Sequence, residues 1–349
     1  MWDAAIVAAV IAGVSTALAS VYVLVFERAD AEIGRVLRIA GQLALAVWFA
    51  YWSWQTIGSY FEQFPLHMDM IGFDGRIYQH AAGTWLAGGD PWTSYLDRHA
   101  WGDGGYLRLF FAGPPPTVLA FAPLTWLSND AMTTGWMALT IASAFYTLRR
   151  LNLPFWWILF PPMVQGIFVG NPHILCLALL LSGSSWLRAL AVPMKAYAAI
   201  PMVANGQWRA LAILAVAGAI SLVVFWPLWN TYRIDFSQIQ ATIQDETWGG
   251  FSAYRNAQMF GLTAAALAAL ALIDRRGAGW LAVPALWPAA EYFYATFALP
   301  LRSPWLVALL AVPASQADAH VPWVIIAYAV ARVVWWFRAK LRGPDALPA

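Results

Sequence analysis

The stretch LNLPFWWILFPPMVQGIFVGNPHILCLALLLSGSSWL, Leu151–Leu187, contains no Asp, Glu, Lys or Arg. A helix needs about 20 consecutive apolar residues to cross a hydrocarbon layer of about 30 Å, and this stretch exceeds that. Uncharged windows of similar character recur at Ala4–Phe26, Ile39–Phe61, Leu109–Asn129, Ala131–Leu148 and Ala210–Tyr232. Charged residues make up 11% of the 349-residue chain and hydrophobic ones 61%. A soluble domain carries roughly 25% charge, so this chain has too little to cover a water-facing surface. The composition excludes a soluble enzyme and a disordered chain. It predicts an all-α polytopic membrane protein, one integral domain over residues 1–349, with about 10–12 membrane segments.

The remaining totals narrow the partners. A net charge of +2 with scattered Lys and Arg gives no nucleic-acid footprint. The single cysteine, Cys176, sits in an apolar run and reads as a small buried hydrophobe. Met1-Trp2-Asp3 lacks the positive start of a secretory signal, so Ala4–Phe26 is expected to remain as the first span. Many of the 22 Trp fall where spans should meet headgroups, among them Trp48, Trp52, Trp156, Trp226 and Trp335.

Orientation follows from Lys and Arg in short connections. Arg28, Arg35 and Arg38 mark the first connection as cytoplasmic, and Arg149-Arg150, Arg188 with Lys195, and Arg275-Arg276 read the same way. The long polar stretch 58–113 then faces the periplasm or cell exterior, as does a second loop, 230–256. Three short apolar pieces, Ala196–Trp208, Gly277–Ala290 and Leu301–Ala317, read as thin spans or re-entrant segments. No internal repeat is visible, so the two-half architecture of many transporters has no support.

The outer loop holds Gly72-Phe73-Asp74-Gly75-Arg76-Ile77-Tyr78-Gln79-His80-Ala81-Ala82, then Trp85-Leu86-Ala87-Gly88-Gly89-Asp90-Pro91-Trp92. Residues 76–87 suit a short interfacial helix stopped by Gly88-Gly89 and Pro91. Asp74 at its start is either a helix cap or a carboxylate able to take a proton from a hydroxyl. Further on, Val169-Gly170-Asn171-Pro172-His173 interrupts the opening stretch, and Lys195 follows. Asn171 taken alone reads as helix–helix glue and Lys195 as a snorkelling interface charge. No group of side chains has metal-ligand spacing and no cofactor is expected, with Asp69 and Asp74 the one pair able to bind a metal weakly.

An Asp four residues before a Tyr, then Ala-Ala, a Leu-x-Gly-Gly-Asp-Pro-aromatic turn and a Phe-rich Pro-Pro helix start (Phe110 to Pro116) resembles glycosyltransferase family 87. The resemblance extends over roughly Ile71–Pro300. It includes Gly170-Asn171, the Lys195-to-Pro201 segment, Asn256-Ala257-Gln258, and Tyr292 and Tyr294 before Leu299-Pro300. Glu291 stands near the position where the late aromatic motif would carry a histidine. The resemblance implies a GT-C membrane fold. It also implies transfer of a sugar, mannose in the type members, from a polyprenyl-phosphate donor to a hydroxyl of a glycolipid or glycan acceptor on the extracytoplasmic face of a bacterial inner or plasma membrane. Asp74 matches the catalytic base of an inverting reaction. The leaving phosphate needs cations, for which Arg255 and Arg76 lie on the outer side and Lys195 fits by motif. Asp69, Tyr78, Asn171, Asn256, Glu291 and Tyr292 are the expected substrate contacts. The competing reading is a transporter or flippase of a lipid-linked or small polar substrate, which would place ionisable residues near the midplane of spans.

A topology test follows from the arginine distribution. Ser94→Cys is expected to react with an impermeant thiol reagent in intact cells, or in spheroplasts where an outer membrane is present. Labelling only after lysis would reverse the assigned orientation.

Overall fold

A computed structural model describes residues 31–63, 71–97, 107–245, 251–288, 290–313 and 319–341. The window Ala4–Phe26 and Asp69 lie outside the described residues. Within the expected single domain the chain forms two compact units, one of Ser53–Glu246 and one of Met1–Trp52 with Thr247–Ala349. The described residues are predominantly helical, with one two-stranded ladder.

The unit Ser53–Glu246 takes the second half of α1 (Ala31–Gln63) and then α2 (Phe73–Leu86). A short antiparallel ladder follows, β1 (Tyr95–Asp97) against β2 (Leu107–Leu109), with Leu96 opposite Arg108. Helices α3 (Pro115–Phe121), α4 (Asn129–Arg150), α5 (Pro161–Val169), α6 (His173–Leu180), α7 (Ser185–Met194), α8 (Ala199–Ala204), α9 (Trp208–Val224) and α10 (Trp226–Asp245) complete it. Its core gathers Tyr78, Ala81 and Ala82 of α2 with Phe111, Val118, Phe121 and Trp136. The Tyr78 ring lies 5.3 Å from Phe111 and 4.9 Å from Phe121. Gln79 fastens the other side of α2, its amide donating to the carbonyls of Leu124 (2.8 Å) and Leu127 (2.9 Å).

The other unit contains α11 (Ala257–Ile273), α12 (Arg275–Leu286), a long 3₁₀ segment at Tyr292–Leu301, α13 (Pro304–Leu310) and α14 (His320–Leu341). The first half of α1 belongs to it, and the Trp48 indole donates to the Ala308 carbonyl at 2.8 Å.

Among the described residues, α14 alone is long and apolar enough to cross a membrane. Two bent pairs reach that standard only when joined, α5 with α6 (116°) and α9 with α10 up to Ala241 (97°). Among the described residues the expected 10–12 segments therefore do not appear as full-length helices. Gly and Pro cut the apolar runs: Pro161-Pro162 open α5, and Gly170 ends it in the left-handed region at φ 68°. Among the described residues, the α-helices in the three thin pieces are α8, α12 and α13, of 6, 12 and 7 residues. At 1.5 Å per residue none spans the layer. Large apolar side chains stay uncovered by protein, such as Val223 (78% exposed) and Leu272 (88%). Such surface is costly in water and ordinary against lipid, consistent with a helical membrane protein.

Two of the expected loops carry regular structure. The segment beginning at Asn230 is helix as far as Asp245, because Leu228, Tyr232, Ile239 and their neighbours recur at helical spacing and pack into the core. At the other end, Gly58 lies inside α1, and the outer stretch carries α2, starting at Phe73 rather than Arg76, and the β ladder.

The glycine at the bend of α5 and α6 has no room for a side chain. A Cβ on Gly170 would meet the Gly72 Cα at 2.7 Å, whereas one on Gly183 meets nothing within 4 Å. Gly170→Ala is expected to destabilise the protein by about 1–3 kcal/mol through clash and left-handed strain, with Gly183→Ala near neutral. Thermal unfolding in detergent checks the difference.

Candidate active site

The site is built where the start of α2 meets the break between α5 and α6. Gly72 adopts φ 67° and its N–H donates to the Phe168 carbonyl at 2.8 Å. One residue beyond Gly170, the Asn171 side chain reaches back across this contact. Its amide nitrogen donates to Asp74 Oδ2 at 2.5 Å. Its oxygen accepts the His173 N–H at 3.0 Å, which fixes which end of the amide faces the carboxylate. Asp74 thus lies in the first turn of α2 but does not cap it, since the N-cap is Gly72, with no side-chain capping bond.

Lys195 arrives from a third direction. Its backbone ends α7, with its N–H donating to the Ala191 carbonyl at 3.0 Å. The Thr117 hydroxyl of α3 donates to the Pro193 carbonyl and ties this end to the core. The Lys195 ammonium sits over the Tyr78 ring, 5.5 Å from its centroid, and its charge acts on Asp74. Residues from three separate parts of the sequence, Asp74 with Tyr78, Asn171, and Lys195, form one cluster.

The cluster brings together two residues that the count of basic residues assigns to opposite sides, Lys195 to a cytoplasmic end and Asp74 to the outside. A lysine whose charge acts on a carboxylate lies close to it, so the two assignments do not both hold.

Burial dominates the electrostatics of Asp74 and pushes its carboxyl up to about 6, with Lys195 and the Asn171 amide pulling partly back. A low-dielectric site disfavours the anion, whereas an adjacent cation and a donated hydrogen bond favour it. A carboxyl tuned this way is deprotonated at neutral pH and basic enough to accept a proton.

The other expected positions stand differently. Arg76 is half-buried on α2 and donates to the Thr133 hydroxyl at 3.3 Å. Arg255, Asn256, Glu291 and Tyr292 belong to the other compact unit. There Asn256 caps α11, its side-chain oxygen accepting the Met259 N–H at 3.0 Å. Tyr292 is buried and its hydroxyl donates to the Ala311 carbonyl at 2.6 Å. Each of these two side chains therefore makes one hydrogen bond within its own unit. Arg255 is exposed at the end of a 3₁₀ turn, and Glu291 is half-buried before the Tyr292–Leu301 segment.

Sequence reading missed two residues beside the cluster. His173 is wholly buried with its ring against Gly166, where a Cβ would meet His173 Cε1 at 2.0 Å. Trp136 of α4 donates from its indole to the Gly170 carbonyl at 2.6 Å. A lone Trp in a long apolar helix carries no signal that separates this position from a membrane anchor.

No family model matches the chain, and neither the curated proteins nor the solved structures contain a match.

The titration of Asp74 can be read directly from ¹³C-labelled aspartate carboxyls in detergent-solubilised protein, with Asp74→Asn identifying the signal. A midpoint near pH 6 is expected. Lys195→Gln should move it to higher pH, since a cation that favours the carboxylate is lost. The sign for stability is also set. Between the ordinary value of 3.8 and about 6 the folded state holds a proton that the unfolded chain has released, so Asp74's contribution falls as pH rises through that window.

Proposed function

We propose that this protein is a membrane glycosyltransferase of the GT-C type. In this reading it moves a sugar, mannose by the resemblance, from a polyprenyl-phosphate donor to a hydroxyl of a glycolipid or glycan at the extracytoplasmic face. The observation that carries the reading is the convergence of Asp74, Tyr78, Asn171 and Lys195. These residues come from separate motifs of the same resemblance, and a chance likeness of short motifs gives no reason for them to meet.

The acceptor oxygen attacks the anomeric carbon and its proton passes to Asp74, held by Asn171. A bond forms between that oxygen and the carbon as the bond from the carbon to the phosphate oxygen breaks, with inversion. The polyprenyl phosphate leaves with the bonding electrons. The Lys195 ammonium, on the Tyr78 ring, offsets the negative charge developing there. A donor with a lipid tail suits a site on a short helix below a bilayer surface, since the reacting phosphate lies at headgroup depth. Arg76, on the same helix as Asp74, is a further candidate for holding it.

One observation favours the transporter reading. Asn171 lies at a break of 116° between two apolar helices, and discontinuous helices form binding sites in many transporters. The two readings part in a single assay with purified protein and a short-chain polyprenyl-phosphate sugar. Asp74→Asn retains size and hydrogen bonding but cannot take the proton, so transfer is expected to fall by about 10² or more with protein amount unchanged. Near-parental transfer by this variant would remove Asp74 as the base. A parent that transfers nothing, yet moves an intact lipid-linked sugar between the leaflets of a liposome, would be a transporter.

A further inference from the structure

Three elements meet around Gly72, Gly75 and Gly170, and α4 supplies the side chain that joins them. A Cβ on Gly75 would lie 2.6 Å from Trp136 Cδ1, and one on Gly170 would lie 3.2 Å from the same atom. The indole plane is therefore pressed against the backbone of α2 on one side and of the α5–α6 break on another. Its N–H meanwhile donates to the Gly170 carbonyl, adjacent to Asn171. Trp136 is itself buried at 5% exposure and its ring packs 5.1 Å from Phe121, so it has little freedom to follow a shift of either partner.

We propose that Trp136 is the positioning residue of the site, its indole bracing Gly75 and Gly170 so that the Asn171 amide is held on Asp74 Oδ2. This rests on the transferase reading for its consequence in catalysis, but the geometric claim stands apart from it. Only one of the two carboxylate oxygens is engaged by Asn171, which leaves Asp74 Oδ1 to meet an acceptor hydroxyl. The brace thus decides which oxygen is the base. A carboxylate free to rotate would present either oxygen, and a misplacement of about 1 Å at a reacting group can cost 10²-fold in rate.

The charged and titratable groups around Asp74 are Lys195 beyond α7, His173 at the start of α6, and Arg76 and Tyr78 on its own helix. From α4 it is Thr133, Trp136 and Met137 that pack on this end of α2, and none of the three titrates. A change at Trp136 therefore alters no charge, and it reaches Asp74 only through position. Loss of the Asn171 hydrogen bond removes an influence that favours the carboxylate, so the Asp74 midpoint must rise.

The test compares the parent with Trp136→Phe, which keeps a ring against the glycines and removes the N–H. Two readouts are taken on full-length protein in detergent: the ¹³C carboxyl titration of Asp74, and the pH profile of kcat and KM for a short-chain polyprenyl-phosphate sugar. The expected result is a titration midpoint and an acidic limb of kcat that both move to higher pH. Alongside this, kcat should fall roughly 10- to 100-fold with donor KM little changed. An unmoved midpoint in a variant that is merely less stable to heat would make Trp136 a packing residue and overturn the proposal. If the parent shows no transfer, the transferase reading fails alone, and the midpoint of the Asp74 carboxyl still decides the role of Trp136. Should Trp136→Phe fail to accumulate, Trp136→Tyr, which also lacks the indole N–H, is titrated instead. Its Asp74 midpoint must rise, and an unchanged value would overturn the proposal.

Discussion

The structure around the site depends on one close backbone contact, that of Gly72 at the start of α2 with Gly170 at the end of α5. Both residues adopt left-handed backbone, and the space between them admits no Cβ. Because Asp74 follows the first glycine by two residues and Asn171 follows the second by one, the contact places their side chains within a hydrogen bond. The Gly72 N–H to the Phe168 carbonyl and the Trp136 indole to the Gly170 carbonyl hold the two backbones in register. Both bonds also satisfy carbonyls of the last turn of α5, which would otherwise be left open at a helix end.

A carboxylate and a lysine in such surroundings are costly to keep. Each loses water, and replacing a buried ion pair with apolar side chains is often neutral or stabilising. Burial raises the Asp74 carboxyl more than Lys195 and Asn171 lower it, so the charged form is a net expense to the fold. The surrounding elements nonetheless converge on it: α2 through Asp74 and Tyr78, the α5–α6 break through Asn171, and the end of α7 through Lys195. An arrangement that costs stability and is held by three elements fits a chemical role better than a structural one.

Some of this was legible in the linear sequence. The carboxylate at the head of a short amphipathic helix, the Gly-Gly-Asp-Pro stop, and the Gly-Asn break are local features, and local chemistry sets them. Asp90 illustrates this, closing the turn after α2 by accepting the Trp92 N–H and the Thr93 hydroxyl, both at 2.9 Å. What misled was reading polarity as position. Asn230 to Asp245 is polar enough to suggest a loop, yet Tyr232 and Ile239 repeat at helical spacing and draw it into the core. Lys195 reads as an interface charge by count and as a site residue by motif, and its place over the Tyr78 ring is visible only in the folded chain. Tyr292 and Asn256 have the residue types of a binding site, and the structure adds what the sequence did not show, a hydroxyl on the Ala311 carbonyl and an amide oxygen on a helix N-terminus.

The sequence by itself determined the apolar character of the chain and the kinds of local structure. With 11% charged residues there is little charge to cover a surface, and its glycines and prolines mark where apolar helices must stop. These are one-dimensional properties, since composition and backbone stiffness act residue by residue. The tertiary structure decided which stops meet. Asp74 and Asn171 are 97 positions apart, and no periodicity links them. Their hydrogen bond exists because two glycine backbones can approach closely enough for Trp136 to pin both, and that fit is a property of packed surfaces in three dimensions.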